Sequence, residues 1–378
     1  MLQVLTAKIR VYPNEQQAQT LYASMDAFRN ACNYLSGQVY ESKDLSQSHL
    51  NKLFYYRIRE TFGLPSQMTQ SVIRCVIAAY KSMKANHNWE RAKFKRGFTE
   101  LVWNRDYLLR GNVFSVNSLS GRLKLSYSSK GFETYFDASQ YKFGQAKLLA
   151  KKNKFYLYIA VEHNIPDTDV NNVCNVVGID RGIRFLASTY DSHGKSTFYS
   201  GRQIKNKKAN YRRLRRELQQ VHTRSARRRL KQVSGRENRW ISDVNHQISK
   251  ALVESNPAGT LFAIEDLKGI RENVLLHVHN REARAELVGW SYLDLEEKLT
   301  YKALRKGSMV VKFNPAYTSQ TCPVCGHVSK SNRDKRKHLF TCESCGYQSN
   351  DDRVAAMNLH RKGISWVAQD DYHVVSGE

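Results

Sequence analysis

The chain has 378 residues, with 60 Lys and Arg against 34 Asp and Glu, a formal net charge of +26. At 41% hydrophobic and 25% charged residues it is neither a disordered tail nor a fibre, and its length allows two or three domains. No apolar stretch is long enough to span a membrane, and residues 1–13 read as lacking a signal peptide's apolar core. The surplus positive charge therefore points to a polyanion, nucleic acid before a membrane surface.

Residues 2–12 alternate loosely and read as a strand ended by Pro13. Asn14 and Gln17 have capping-box spacing, and Leu21, Met25, Phe28, Cys32 and Leu35 recur at helical spacing. Further helices are expected over 49–61 and 66–86, so 14–86 reads as a small helical module. Residues 98–163 are strand-like between Gly and Asn turns. This order suggests a helical insertion into a β-barrel-like domain, although nothing in the sequence proves that residues 2–12 join that sheet. Beyond Pro166, strands are expected at 173–180, 185–190 and 198–200. A very basic helical stretch follows over 202–232, interrupted by Gly235 before a second helix. Residues 261–264 form a short apolar strand, 281–304 a helix, 310–313 a strand, and 352–359 a further helix.

Seven cysteines occur. Cys32, Cys75 and Cys174 are isolated, whereas Cys322, Cys325, Cys342 and Cys345 form two CxxCG pairs separated by sixteen residues. Two such knuckles supply four thiolates for one tetrahedral zinc, with no position left for catalysis. This suits a reducing compartment. The intervening loop carries Lys330, Arg333, Lys335, Arg336 and Lys337, suited to phosphate contacts or simply to solvent. His327 and His338 read as surface or nucleic-acid-facing residues rather than ligands.

Three acids stand out. Asp180 ends the run Val176–Ile179, Glu265 ends Leu261–Ile264, and Asp352 opens the Ala355–Leu359 helix. A charge at the end of a buried strand is costly unless paired or metal-bound. Adjacent strands would bring Asp180 and Glu265 together, and a helix N-terminus can offer Asp352 to the same point. Such a cluster selects Mg²⁺ or Mn²⁺, and two ions about 3.5–4 Å apart suit phosphodiester hydrolysis. Asp351 competes with Asp352 and is a candidate N-cap. Asp243 and His246, three apart on one helical face, are secondary candidates for orienting substrate or metal; pairing in the core or at the surface is the alternative.

The motifs Gly178-Ile179-Asp180-Arg181-Gly182, Ile264-Glu265-Asp266-Leu267, Asn314-Pro315-Ala316-Tyr317-Thr318-Ser319-Gln320 before Cys322, and Asp352-Arg353-Val354-Ala355-Ala356-Met357-Asn358-Leu359 resemble those of TnpB. TnpB is the RNA-guided endonuclease of insertion-sequence transposons, related to type V CRISPR effectors. The resemblance covers nearly the whole chain. It departs at Val354, where the family usually has Asn.

The resemblance implies a multidomain α+β protein. Its parts would be a wedge β-barrel-like domain (1–13 and 87–168) and a helical recognition domain (14–86). An RNase H-like, RuvC-type nuclease domain (169–313 and 350–364) would carry an inserted zinc ribbon (314–349), and a C-terminal tail (365–378) would follow. It implies Asp180, Glu265 and Asp352 as catalytic acids for two Mg²⁺ (or Mn²⁺), and one structural Zn²⁺ on the four cysteines. The partners implied are a structured guide RNA from the transposon end and target double-stranded DNA beside a short motif, with no membrane. The protein would be a monomer in its RNA complex, in a prokaryotic cytoplasm at the nucleoid. Lys205, Lys207, Lys208, Arg212, Arg213, Arg215, Arg216, Arg227, Arg228 and Arg229 are nucleic-acid-binding candidates. The competing functions are a DNA transposase performing strand transfer and a non-catalytic nucleic-acid-binding regulator.

Overall fold

The computed structural model describes residues 2–137, 139–165, 168–268 and 291–375. The chain divides into two units, Met1–Asn164 and Ile165–Glu378.

In the first unit, β1 (Leu2–Tyr12) sends Ala7, Ile9 and Val11 into the core and leaves Lys8 and Tyr12 outside. That period-two pattern buries one face of an antiparallel sheet. The sheet has seven strands in the order β2–β6–β7–β1–β5–β4–β3, with β2 Phe98–Leu101, β3 Tyr107–Arg110, β4 Val113–Ser118, β5 Gly121–Ser128, β6 Tyr141–Lys151 and β7 Lys154–Asn164. Strand β1 pairs with both β7 and β5, so the first segment does enter the later sheet. The two edge strands, β2 and β3, are joined only by residues 102–106, and Trp103 bridges to Tyr107, which nearly closes the sheet.

Helix α1 (Glu15–Ser42) starts at the expected capping box: the Gln17 amide donates to Asn14 Oδ1 at 2.8 Å and the Asn14 amide to Gln17 Oε1 at 3.0 Å. Its apolar stripe serves two cores. Leu21 and Met25 pack on the sheet, while Phe28, Cys32 and Leu35 pack with α2 (Gln47–Phe62) and α3 (Ser66–Ala85).

The second unit is built on a five-stranded sheet in the order β10–β9–β8–β11–β12. Strand β8 (Asn175–Asp180) pairs antiparallel with β9 (Phe185–Asp191), and β9 with β10 (Ser196–Ser200). On its other side β8 runs parallel to β11 (Thr260–Glu265), which runs parallel to β12 (Met309–Phe313). Between β10 and β11 come α4 (Arg202–Gln220) and α5 (Arg224–Glu254), and α6 (Tyr292–Arg305) precedes β12. Residues 281–290 of the expected helix lie outside the described residues, as do Pro166 and residues 376–378.

Alternate strand residues face opposite helical layers, which is why these strands read as continuous apolar runs. Val177, Ile179, Phe262 and Ile264 meet Ile248 and Leu252 of α5 and Leu295 and Leu299 of α6. Val176, Leu261 and Ala263 meet Leu359, Trp366 and Val367 of α7 (Asp351–Val375). Helix α7 thus runs past 364 and keeps packing through residues placed by sequence in a tail. Gly178 and Gly363 allow its close approach. A Cβ on Gly178 would lie 2.0 Å from the Ala356 carbonyl oxygen and 2.4 Å from the His360 nitrogen.

One boundary differs from expectation. Gly235 does not interrupt the basic helices; α5 runs through it. The break is at 221–223, where His222 takes φ 55° and the Thr223 hydroxyl caps the Ala226 amide. A Cβ on Gly235 would meet only the Arg239 side chain, at 3.5 Å, so the glycine costs just its helix propensity of about 1 kcal/mol, which the packing of α5 on α6 overrides.

Candidate functional site

Strands β8 and β11 are buried along their length except at their last residues, Asp180 and Glu265. Their register pairs Ile179 with Ile264, which makes the two acids the next residues of adjacent parallel strands. Helix α7 crosses β8 over Gly178 and starts at Asp351, so Asp352 comes from a third direction. The electrostatics of the three acids agree with this placement. Burial raises the Asp180 carboxyl well above its usual range, and Glu265, Asp352 and Asp351 raise it further, against Arg333. Burial also raises Asp352, reinforced by Asp351 and opposed by Arg333, His338 and Arg184. Glu265 is raised by burial, against the Thr318 hydrogen bond and the charges of Arg181, Lys362 and Arg333. Asp352 Oδ2 is buried and has no hydrogen-bond partner. The ligand atoms of Asp352, Asp351 and His338 lie within 4.8 Å of one another, and carboxylate oxygens so poorly compensated suit a hard divalent cation.

Asp351 does not cap α7. Asn350 does so, its Oδ1 accepting from the Asp352 and Arg353 amides at 3.1 Å each. Asp351 is fully buried; it accepts from Arg333 Nε at 2.8 Å and lies 3.6 Å from His338 Nδ1. Arg333 and His338, read from sequence as solvent- or phosphate-facing, are therefore turned toward the acids. Sequence reasoning also missed Thr318, whose hydroxyl lies 2.6 Å from Glu265 Oε1. Arg181 supports Glu265 through its backbone carbonyl and pairs with Glu296 at 3.1 Å. Asp243 and His246 sit elsewhere on α5. Asp243 accepts from Gln247, and His246 faces Lys298, Lys302 and Asp294 of α6.

The four cysteine sulfurs lie within 4.8 Å of one another, with Cys322–Cys345 at 3.6 Å and Cys325–Cys342 at 3.5 Å. A tetrahedron with Zn–S bonds of about 2.3 Å has edges of about 3.8 Å, so the set fits zinc. The two knuckles match. Gly326 and Gly346 take φ 78° and 73° and return their amides to the Cys322 and Cys342 carbonyls. The His327 amide holds the Cys325 thiol down at about 7. The Tyr347 amide favours the Cys345 thiolate, but burial and the other three sulfurs push it up to about 12. Strands β13 (Arg333–Asp334), β14 (Leu339–Thr341) and β15 (Gln348–Asn350) complete this module. Val354 is buried against Cys322, Phe340 and Cys342, so the departure from the family's Asn adds apolar packing there.

No residue of α4 is buried. Lys205, Lys207, Arg213 and Arg216 are exposed on α4, as are Arg227, Arg228 and Arg229 on α5; Lys208 and Arg212 are half-buried. Lys207 lies over the Trp240 ring at 4.4 Å. Arg215 is engaged by the buried Glu237 of α5 and ties the two helices together.

Residues 158–269 match the OrfB_IS605 family, described as probable transposase, and residues 292–359 match the Cas12f1-like TNB domain. This chain is similar to the TnpB and Cas12f1 proteins, as its motifs imply. The Cas12f1 CRISPR-associated endodeoxyribonuclease of Sulfoacidibacillus thermotolerans is 30% identical over 224 residues, 55% of this chain and 50% of that one. A TnpB-like protein of Methanocaldococcus jannaschii is 34% identical over 134 residues, 35% of this chain and 46% of that one. The chain spans about half the length of these curated relatives. Among solved structures, a chain of the Cas12f1–sgRNA–target DNA complex superposes with a TM-score of 0.58 at 13% identity, covering 95% of this chain and 98% of that one. The mini-RNA-guided endonuclease CRISPR-Cas_phi3 gives 0.52 at 12% identity, covering 96% and 92%. At such identities the likeness establishes the fold, a multidomain α+β architecture with a nearly closed sheet and a cysteine cluster. Among the described residues, no helix is long and apolar enough to cross a membrane.

Proposed function

We propose that the protein is an RNA-guided DNA endonuclease. The observation that carries this reading is that Asp180 and Glu265 end adjacent parallel strands while Asp352 opens the helix laid over Gly178, with the charges of both other acids acting on Asp180. The sheet order, with an antiparallel β8–β9–β10 side and a parallel β8–β11–β12 side, supports an RNase H-like, RuvC-type nuclease domain over 169–313 and 350–364. The cysteine module would be a zinc ribbon over 314–349, inserted between β12 and α7. The first unit, with the few residues that follow it, would supply the wedge domain (1–13 and 87–168) around a helical recognition domain (14–86).

Asp180, Glu265 and Asp352 would hold two Mg²⁺ or Mn²⁺, which when bound supply water activation and leaving-oxygen stabilisation for phosphodiester hydrolysis. Arg333 offsets the charge of the acids through its pair with Asp351. The exposed cations of α4 and early α5 give a sequence-independent grip on nucleic-acid backbones. A structured guide RNA and target double-stranded DNA are the partners, with sequence read by pairing and a short adjacent motif read by protein. The names of the Cas12f1 and TnpB-like relatives support this reading.

The test is coexpression with the DNA flanking the gene, sequencing of the copurified RNA, and a cleavage assay with that RNA and Mg²⁺. A discrete RNA with a variable end, and guide-dependent cutting lost in Asp180→Ala, Glu265→Ala and Asp352→Ala with RNA binding retained, is the expected result. Strand joining would instead identify a transposase. Full cutting by any of the three variants would remove that residue from the site.

A further inference from the structure

Glu265 has a longer side chain than the two aspartates beside it. The torsion that turns its carboxylate is broad and nearly two-fold, so burial alone leaves the oxygens unfixed. Among the described residues, one side chain hydrogen-bonds to them. The Thr318 hydroxyl, 3% exposed, lies 2.6 Å from Glu265 Oε1, nearer than its other acceptor, the Pro315 carbonyl at 3.0 Å. A hydroxyl has a single proton to give, and the ionised carboxylate is the stronger acceptor. That bond leaves Oε2 and a lone pair of Oε1 open.

Thr318 is itself held from α7. The Asn358 side-chain amide, 5% exposed, donates at 2.8 Å to the Thr318 carbonyl and at 2.8 Å to the Thr321 carbonyl, using both its protons. Lys362 donates to the Asn314 carbonyl at 2.7 Å on the same side. The turn is closed internally as well, with the Gln320 and Thr321 amides returning to the Tyr317 carbonyl. The helix that presents Asp352 thus also holds the turn that presents a proton to Glu265.

We infer that Thr318 and Asn358 are positioning residues: the Asn358 amide clamps the turn before the first cysteine pair, and the Thr318 hydroxyl of that turn sets the Glu265 carboxylate for divalent cation binding. The inference rests on the proposed role of Glu265. Groups that orient a metal ligand in this way are commonly worth about 10–100-fold in metal affinity.

The test measures Mn²⁺ binding by electron paramagnetic resonance on guide-loaded protein without DNA, alongside zinc content. Thr318→Val keeps the shape and removes the proton, and is expected to weaken Mn²⁺ binding about 10–100-fold with zinc content unchanged. Thr318→Ser restores the hydroxyl and is expected to return binding to within a few-fold of the parent. Asn358→Leu is expected to weaken Mn²⁺ binding in the same direction. If Val at 318 disturbs zinc content, Thr318→Ala against Thr318→Ser makes the same comparison. Parental Mn²⁺ affinity in Thr318→Val, or a Ser variant as weak as the Val variant, overturns the inference. Glu265→Ala separates the two levels. Its losing Mn²⁺ while Thr318→Val does not would sink only the positioning role, whereas its keeping Mn²⁺ would sink the assignment of Glu265 itself.

Discussion

Replacing Gly178 by Ala adds one methyl group at the crossing of β8 and α7. That Cβ would sit 2.0 Å from the Ala356 oxygen, 2.4 Å from the His360 nitrogen and 3.0 Å from the His360 Cα. All three are backbone atoms, so no side chain can swing away. Real Cβ atoms essentially never come within 3.0 Å of a neighbour, so the helix must withdraw by about 1 Å or the strand must bow. Overpacking of this kind costs about 1–3 kcal/mol, occasionally more. The same retreat draws Asp352 from Asp180, and a displacement of about 1 Å in a reacting geometry can cost about 100-fold in rate. Single-turnover cleavage by guide-loaded Gly178→Ala, with a denaturant melt of the same protein, measures both effects. A lowered midpoint with cleavage reduced about 100-fold and target binding retained is expected. Parental cleavage and an unchanged midpoint would refute the argument that this crossing sets the acids' geometry.

Cys322→Ser is expected to lower zinc content from one per chain toward none and to loosen the module around Phe340 and Val354; unchanged zinc stoichiometry would contradict the four-thiolate site. The raised carboxyls predict an unusual pH dependence. Folding raises Asp180, Glu265 and Asp352, so the folded chain binds protons that the unfolded chain releases. Stability of the metal-free chain should then fall as pH climbs from about 4 through the raised folded values. Metal-free Asp180→Asn should melt above the parent at neutral pH, with the gap closing toward pH of about 4; equal melting at neutral pH would contradict the burial argument. Removing Arg213, Arg216 and Arg227 together should weaken RNA binding and flatten its salt dependence by about 0.7–0.9 for each phosphate no longer neutralised. An unaltered salt slope would show that these cations face solvent only.

The sequence was most legible where cause and effect are neighbours. The Asn14–Gln17 box spans one helical turn, and the two acid-ended strands announce themselves as apolar runs closed by a single charge. The cysteine pairs are likewise local, each knuckle set by its own glycine. What escaped was relational. Thr318 meets Glu265 across 53 positions, and Arg333 meets Asp351 across 18, so neither partner could be read from spacing. Gly235 misled because a single glycine costs little in a helix of 31 residues already packed on α6. Asn350 took the cap expected of Asp351, whose carboxylate accepts from Arg333 and from the adjacent Asp352 amide.

The three acids lie at positions 180, 265 and 352, on two strands and a helix that meet only when the sheet is complete. The helices α4 and α5 need far less: they are consecutive and pack on each other. Local contacts form early and distant ones late. A chain emerging from its unfolded state is therefore expected to form its basic helices before it assembles the proposed cutting site. Pulse-labelled hydrogen exchange would show this as protection of α4 and α5 ahead of β8 and β11. If the proposed function holds, such an ordering would act as a safeguard, since a half-folded copy clinging to nucleic acid would be chemically harmless.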